Sequence, residues 1–84
     1  MFIHLGQDTV VPTSEVIGIF DLESTTVSKK TRKFLEISEK KGEVINVSYE
    51  LPKSFILCCD KNKKRKLYIS QLSSATLKKR SEIY

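Results

Sequence analysis

Apolar residues in this chain come mostly in short runs separated by polar clusters, and only one long stretch spreads them at helical spacing. Met1 to Leu5 reads as a strand closed by Gly6, Gln7 and Asp8, which supply a permissive backbone and a short side-chain acceptor for a turn. Thr9 to Val11 starts a second extended run that Pro12 ends, because proline has no N–H for a ladder. Thr13, Ser14 and Glu15 then form a turn or the cap of one short helical turn. Val16 to Phe20 is apolar at successive positions, which predicts a strand covered on both faces, with Gly18 marking a close approach by another group. From Ser24 to Lys41 the spacing predicts a helix. Ser24, Thr25 or Thr26 would cap it, Gly42 would stop it, and Val27, Phe34, Leu35 and Ile37 would form its inward stripe.

Val44 to Glu50 alternates, with Ile45, Val47 and Tyr49 opposite Asn46, Ser48 and Glu50, as a strand with one wet face should. Leu51, Pro52 and Lys53 break it. Ser54 to Cys59 and Leu67 to Ile69 are expected to pair as a hairpin, and Ser73 or Ser74 would cap a short helix from Ala75 to about Arg80 with Leu77 as its anchor. These elements predict an α+β fold: a small, mostly antiparallel sheet with one amphipathic helix and a short C-terminal helix, in a single domain over residues 1–84. Two strands apolar on both faces need two covers, and the helices supply little more than one. Either a second subunit or a sheet curled on itself is expected to provide the other.

Charge sharpens the picture at one place. The chain carries a formal charge of +5 with a pI near 9.3, and Lys61, Lys63, Lys64, Arg65 and Lys66 crowd between the two strands of the expected hairpin. So many cations in one turn repel each other, and a phosphate backbone would relieve that by exchanging its condensed counterions for them. The alternative is a solvated turn that keeps neighbouring apolar strands from aggregating. Lys40 and Lys41 have a local explanation, since they complement the negative end of the helix dipole.

Catalytic chemistry is not expected. There is one His, no nucleophile elbow, and Gly occurs only at positions 6, 18 and 42, so no phosphate-cradling loop exists. Asp21 and Glu23 have ordinary helix-entry composition. His4, Cys58 and Cys59 make a poor metal set, because adjacent strand residues point to opposite faces; neither metal nor cofactor is expected. The two cysteines are expected to be free thiols, and Tyr68 a half-buried strand tyrosine in preference to a base-stacking one. The start of the chain turns polar at once and no span reaches transmembrane length, so a reduced, cytoplasmic setting away from membranes is expected.

The order of these blocks is also distinctive: Phe2-Ile3-His4-Leu5-Gly6, Val10-Val11, Val16-Ile17-Gly18-Ile19-Phe20-Asp21, a basic helix ending at Gly42, and Ser70-Gln71-Leu72-Ser73-Ser74-Ala75-Thr76-Leu77-Lys78-Lys79-Arg80. Over nearly its whole length the chain resembles the extracellular matrix regulatory proteins of Bacillus and relatives (the RemA/RemB family), most closely the RemB branch. The resemblance implies a cytoplasmic regulator of biofilm matrix genes that binds double-stranded DNA as a ring-like homo-oligomer. RemA-like members carry a basic residue before the second core strand and a tandem-arginine loop, whereas this chain has Glu15 and Glu50-Leu51-Pro52-Lys53 there. Only Lys53 keeps the charge. Two expectations follow: DNA binding through Lys53, Lys61, Lys63, Lys64, Arg65 and Lys66 by sequence-independent phosphate contacts, or an interaction module that modulates a paralogous regulator and no longer touches DNA.

Overall fold

The computed structural model describes residues 1–22 and 28–81. Strands β1 (Phe2–Gly6) and β2 (Thr9–Pro12) form an antiparallel hairpin, and a short 3-10 turn over Thr13–Glu15 leads into β3 (Val16–Asp21). Helix α1 (Lys29–Lys40), β4 (Val44–Asn46), β5 (Ser54–Cys59), β6 (Arg65–Ser70) and helix α2 (Ser74–Ser81) follow. The second sheet has the order β3-β5-β6-β4, antiparallel except for the β4–β6 pair, which is parallel. The α+β class expected from the pattern is the one observed.

Its central strands are β5 and β6, and alternation assigns their two faces. On one face Phe55, Leu57 and Cys59 stand beside Ile69, Leu67 and Arg65. Phe20 stacks on Phe55 there with ring centroids 4.8 Å apart, and α1 lies over this face through the half-buried Phe34 and Leu35. On the other face Ile56 and Cys58 join Ile3, Leu5, Val11, Val47 and Leu77 in the buried core. The β1–β2 hairpin and α2 therefore cover the second face. A two-stranded sheet laid across that face supplies, within one chain, the cover that the helices alone do not. Buried serines fasten the layers, since Ser70 Oγ donates to Leu5 O at 2.6 Å and Ser54 Oγ to Leu72 O at 2.8 Å.

Four local expectations are corrected. Val16–Asp21 is an edge strand, not a doubly covered one, and a register shift between Val16 and Gly18 turns Ile17 out to 61% exposure. The strand expected over Val44–Glu50 stops at Asn46. Val47 still donates to Ile69 O, but Ser48 Oγ then accepts from Glu50 N at 3.1 Å, which bends the chain and leaves Tyr49 wholly exposed. In α1 it is Ser38 that is buried, while Ile37 lies exposed beyond the inward stripe. The cap is Ser28, whose Oγ accepts from Thr31 N, whereas Val27 and the expected caps Ser24, Thr25 and Thr26 lie outside the described residues, as does Glu23.

Other signals hold. Gly42, with φ +72°, follows α1, and Ser73 Oγ accepts from Thr76 N at the start of α2, whose Leu77 is fully buried. Gly18 has the close neighbour expected of it: a Cβ there would meet the Phe20 ring at 2.8 Å. No helix among the described residues is long and apolar enough to cross a membrane.

Candidate nucleic-acid interface

Asp60 builds the basic turn. Its Oδ1 accepts from Asn62 N at 2.8 Å and Lys64 N at 3.0 Å, while the Asp60 and Lys64 backbones close the loop with Asp60 N donating to Lys64 O at 3.0 Å. A short carboxylate that reaches its own backbone two and four residues on competes with continued pairing, so the strand ends at Cys59 and resumes at Arg65. Lys63 sits in the left-handed region at φ +61°, a conformation that costs a lysine about 1 kcal/mol and that glycine would adopt freely.

The turn therefore presents the cations unequally, and the single hairpin tip expected from the sequence is corrected. Lys61, Lys63 and Lys64 belong to the tip, whereas Arg65 and Lys66 lie within β6, paired with Cys59 and Cys58. Successive strand residues face opposite ways. Arg65 leaves the sheet on the α1 face: its Nε is 3.6 Å from Glu43 Oε2, and its guanidinium carbon lies 6.0 Å from the Phe34 ring centroid. Lys66 leaves on the other face, where its field lowers the Cys58 thiol pKa. Burial first, and Glu15 second, outweigh it and push that thiol up to about 11. Tyr68 is raised from its ordinary value as well, by burial and then by Cys58 and Glu15, and it sits half-buried in β6 as expected.

The parallel β4–β6 register adds a second wall. Val44 pairs with Leu67, so the residues that lead into the two strands run side by side, and Leu67 N donates to Glu43 O at 2.8 Å. Between them lies an open groove of about 380 Å³ lined by Lys41, Lys63, Lys64, Arg65 and Lys66, with Glu43 as the one carboxylate. Lys41 was absent from the sequence-derived set because its place at a helix C-terminus explained its charge locally. The signal that would have found it is the β4–β6 pairing, which a hairpin reading does not contain.

Lys53 does not join this group. It immediately precedes β5, and the six residues of that strand separate it from the turn by roughly 20 Å at the usual strand rise. Its backbone bridges β3 to β6, since Lys53 N donates to Ser70 O and its carbonyl accepts from Leu22 N, both at 2.9 Å. His4 is exposed, with Nε2 2.6 Å from Gln7 O. Cys58 is buried and Cys59 half-buried, both as free thiols on opposite faces of β5.

Two comparisons with known proteins show the family of the chain. A family model described as RemA-like, extracellular matrix regulatory protein A-like, matches residues 2–80. The chain is also 38% identical over 82 residues to extracellular matrix regulatory protein B of Bacillus subtilis (strain 168), an alignment covering 98% of this chain and 91% of that relative.

Proposed function

Because the chain belongs to the RemA-like family of extracellular matrix regulatory proteins, we propose that it regulates the expression of extracellular-matrix genes in the cytoplasm by binding double-stranded DNA as a homo-oligomer. The groove between the approach to β4 and the Asp60–Lys64 turn carries this reading. Lys41, Lys63, Lys64 and Arg65 line it against one carboxylate, with Lys66 at its border on a strand position whose side chain leaves by the other face, and two segments distant in sequence supply them. A turn whose only task was solubility would not need a matching cation on a second segment. Nor would it need a lysine at the left-handed position, where glycine costs less.

Contacts of this kind hold phosphates and fix register without reading bases. Selection of a site then falls to the shape and bendability of the duplex. Repetition of the groove around an oligomer would raise modest affinity per copy through effective concentration. Apolar side chains that one copy leaves exposed support self-association: Phe2 and Val10 on the outer face of the β1–β2 hairpin, and Ile17 at the β3 edge.

The test is titration of a fluorescent duplex at several salt concentrations, with light scattering on the same samples. Binding by a multimer that weakens steeply with salt is expected, and Lys41→Ala should flatten the log–log slope by about 0.9, the value of one phosphate contact. Absence of binding at low salt by a folded multimer would reject DNA binding and favour the interaction-module alternative. Glu15 and the exposed Glu50 stand where RemA-like members are basic and would then belong to a protein-facing surface.

A further inference from the structure

Glu43 is the anomaly of the groove. A carboxylate among phosphate-binding cations repels the ligand, and this one is largely covered: its backbone carbonyl accepts from Leu67 N and its side chain is only 20% exposed. Arg65 answers it. Its Nε lies 3.6 Å from Glu43 Oε2, with the Arg65 side chain 41% exposed, and its guanidinium lies 6.0 Å from the Phe34 ring of α1, whereas Lys63 and Lys64 carry no such partner among the ion pairs of the described residues. Resting on the DNA-binding reading, we infer that Arg65 is a positioning residue: its charge is committed to Glu43, holding the turn against the end of α1, and the lysines make the phosphate contacts. Glu43 thereby sets how many cations the groove offers a duplex.

This division reverses the ordinary expectation that arginine, with its forked donors, would be the principal phosphate ligand of the turn. It predicts a pattern across four proteins: wild type, Arg65→Gln, Glu43→Gln and the double variant, each titrated with the same duplex across a salt series. Arg65→Gln should lower affinity at every salt concentration, because it exposes Glu43 to the phosphates, yet leave the slope unchanged. Glu43→Gln should tighten binding and steepen the slope by about 0.9, as the released guanidinium becomes a contact. The double variant should return to the wild-type slope. A merely structural role for the pair would not steepen the slope in Glu43→Gln.

A slope that flattens by about 0.9 in Arg65→Gln, with no steepening in Glu43→Gln, would overturn the inference and make Arg65 a direct phosphate ligand. If neither wild type nor any variant bound duplex, the DNA-binding reading itself would fail and take the inference with it. Thermal unfolding of all four proteins separates misfolding from either result. Should Arg65→Gln not fold, Glu43→Gln carries the test alone: a slope steeper by about 0.9 is expected, and an unchanged slope there would overturn the assignment.

Discussion

Lys63 shows how one side chain can be read for both stability and binding. Its left-handed backbone suits glycine, so Lys63→Gly should raise stability by roughly 0.5–1 kcal/mol and, if the groove binds DNA as proposed, remove a phosphate contact. Denaturant unfolding and duplex titration on the same variant check both directions; a variant that is less stable, or that keeps full affinity and salt slope, contradicts the assignment. Cys58 offers a second single-residue test. Its folded pKa of about 11 stands above the ordinary 9.0, so the folded chain keeps a proton that the unfolded chain releases in that window. The resulting stability is whole below pH 9 and is lost as pH rises toward 11. Urea unfolding across that range should therefore fall more steeply for wild type than for Cys58→Ala, and parallel curves would show that the thiol does not titrate as its burial implies.

At the scale of elements, α2 is held chiefly by one anchor. Leu77 is fully buried in the core beneath the hairpin, and Arg80 Nη1 adds a bond to His4 O at 3.0 Å. Leu77→Ala should cost about 2–5 kcal/mol in denaturant unfolding, and a loss under about 1 kcal/mol would mean that α2 is not docked as described. This anchor was legible in the sequence because Ser73, Leu77 and the short helical span agree with each other locally. So were the turns at Gly6 and Gly42, the 3-10 turn after Pro12, and the antiparallel β5–β6 pair, all fixed by neighbours in the chain. What could not be read was decided by distant partners. The alternation of Ile45, Val47 and Tyr49 promised a longer strand than the parallel seat beside β6 accommodates, and nothing local to Val16–Phe20 reveals that it occupies a sheet edge. Lys41 belongs to the same class, since it enters the groove only through the β4–β6 register.

On the scale of the whole molecule, two thin layers cover a four-stranded sheet and leave one end of it cationic. The core lies between the sheet and the β1–β2 hairpin with α2, while α1 shields the other face and delivers Lys41 to the groove. Lys53 stands at the opposite end of β5 from the turn, so the six cations chosen from sequence are two separate features, and the turn lines the groove whereas Lys53 does not. The family resemblance and the local charge run both pointed toward DNA, but the groove is what tells the two ends apart. The measurement that tests this most directly is the salt dependence of duplex binding by wild type and by Lys63→Ala/Lys64→Ala. Loss of two phosphate contacts predicts a slope lower by about 1.8 with affinity reduced alike on unrelated sequences; an unchanged slope, in a variant that still folds and assembles, would contradict the groove as the DNA-binding site.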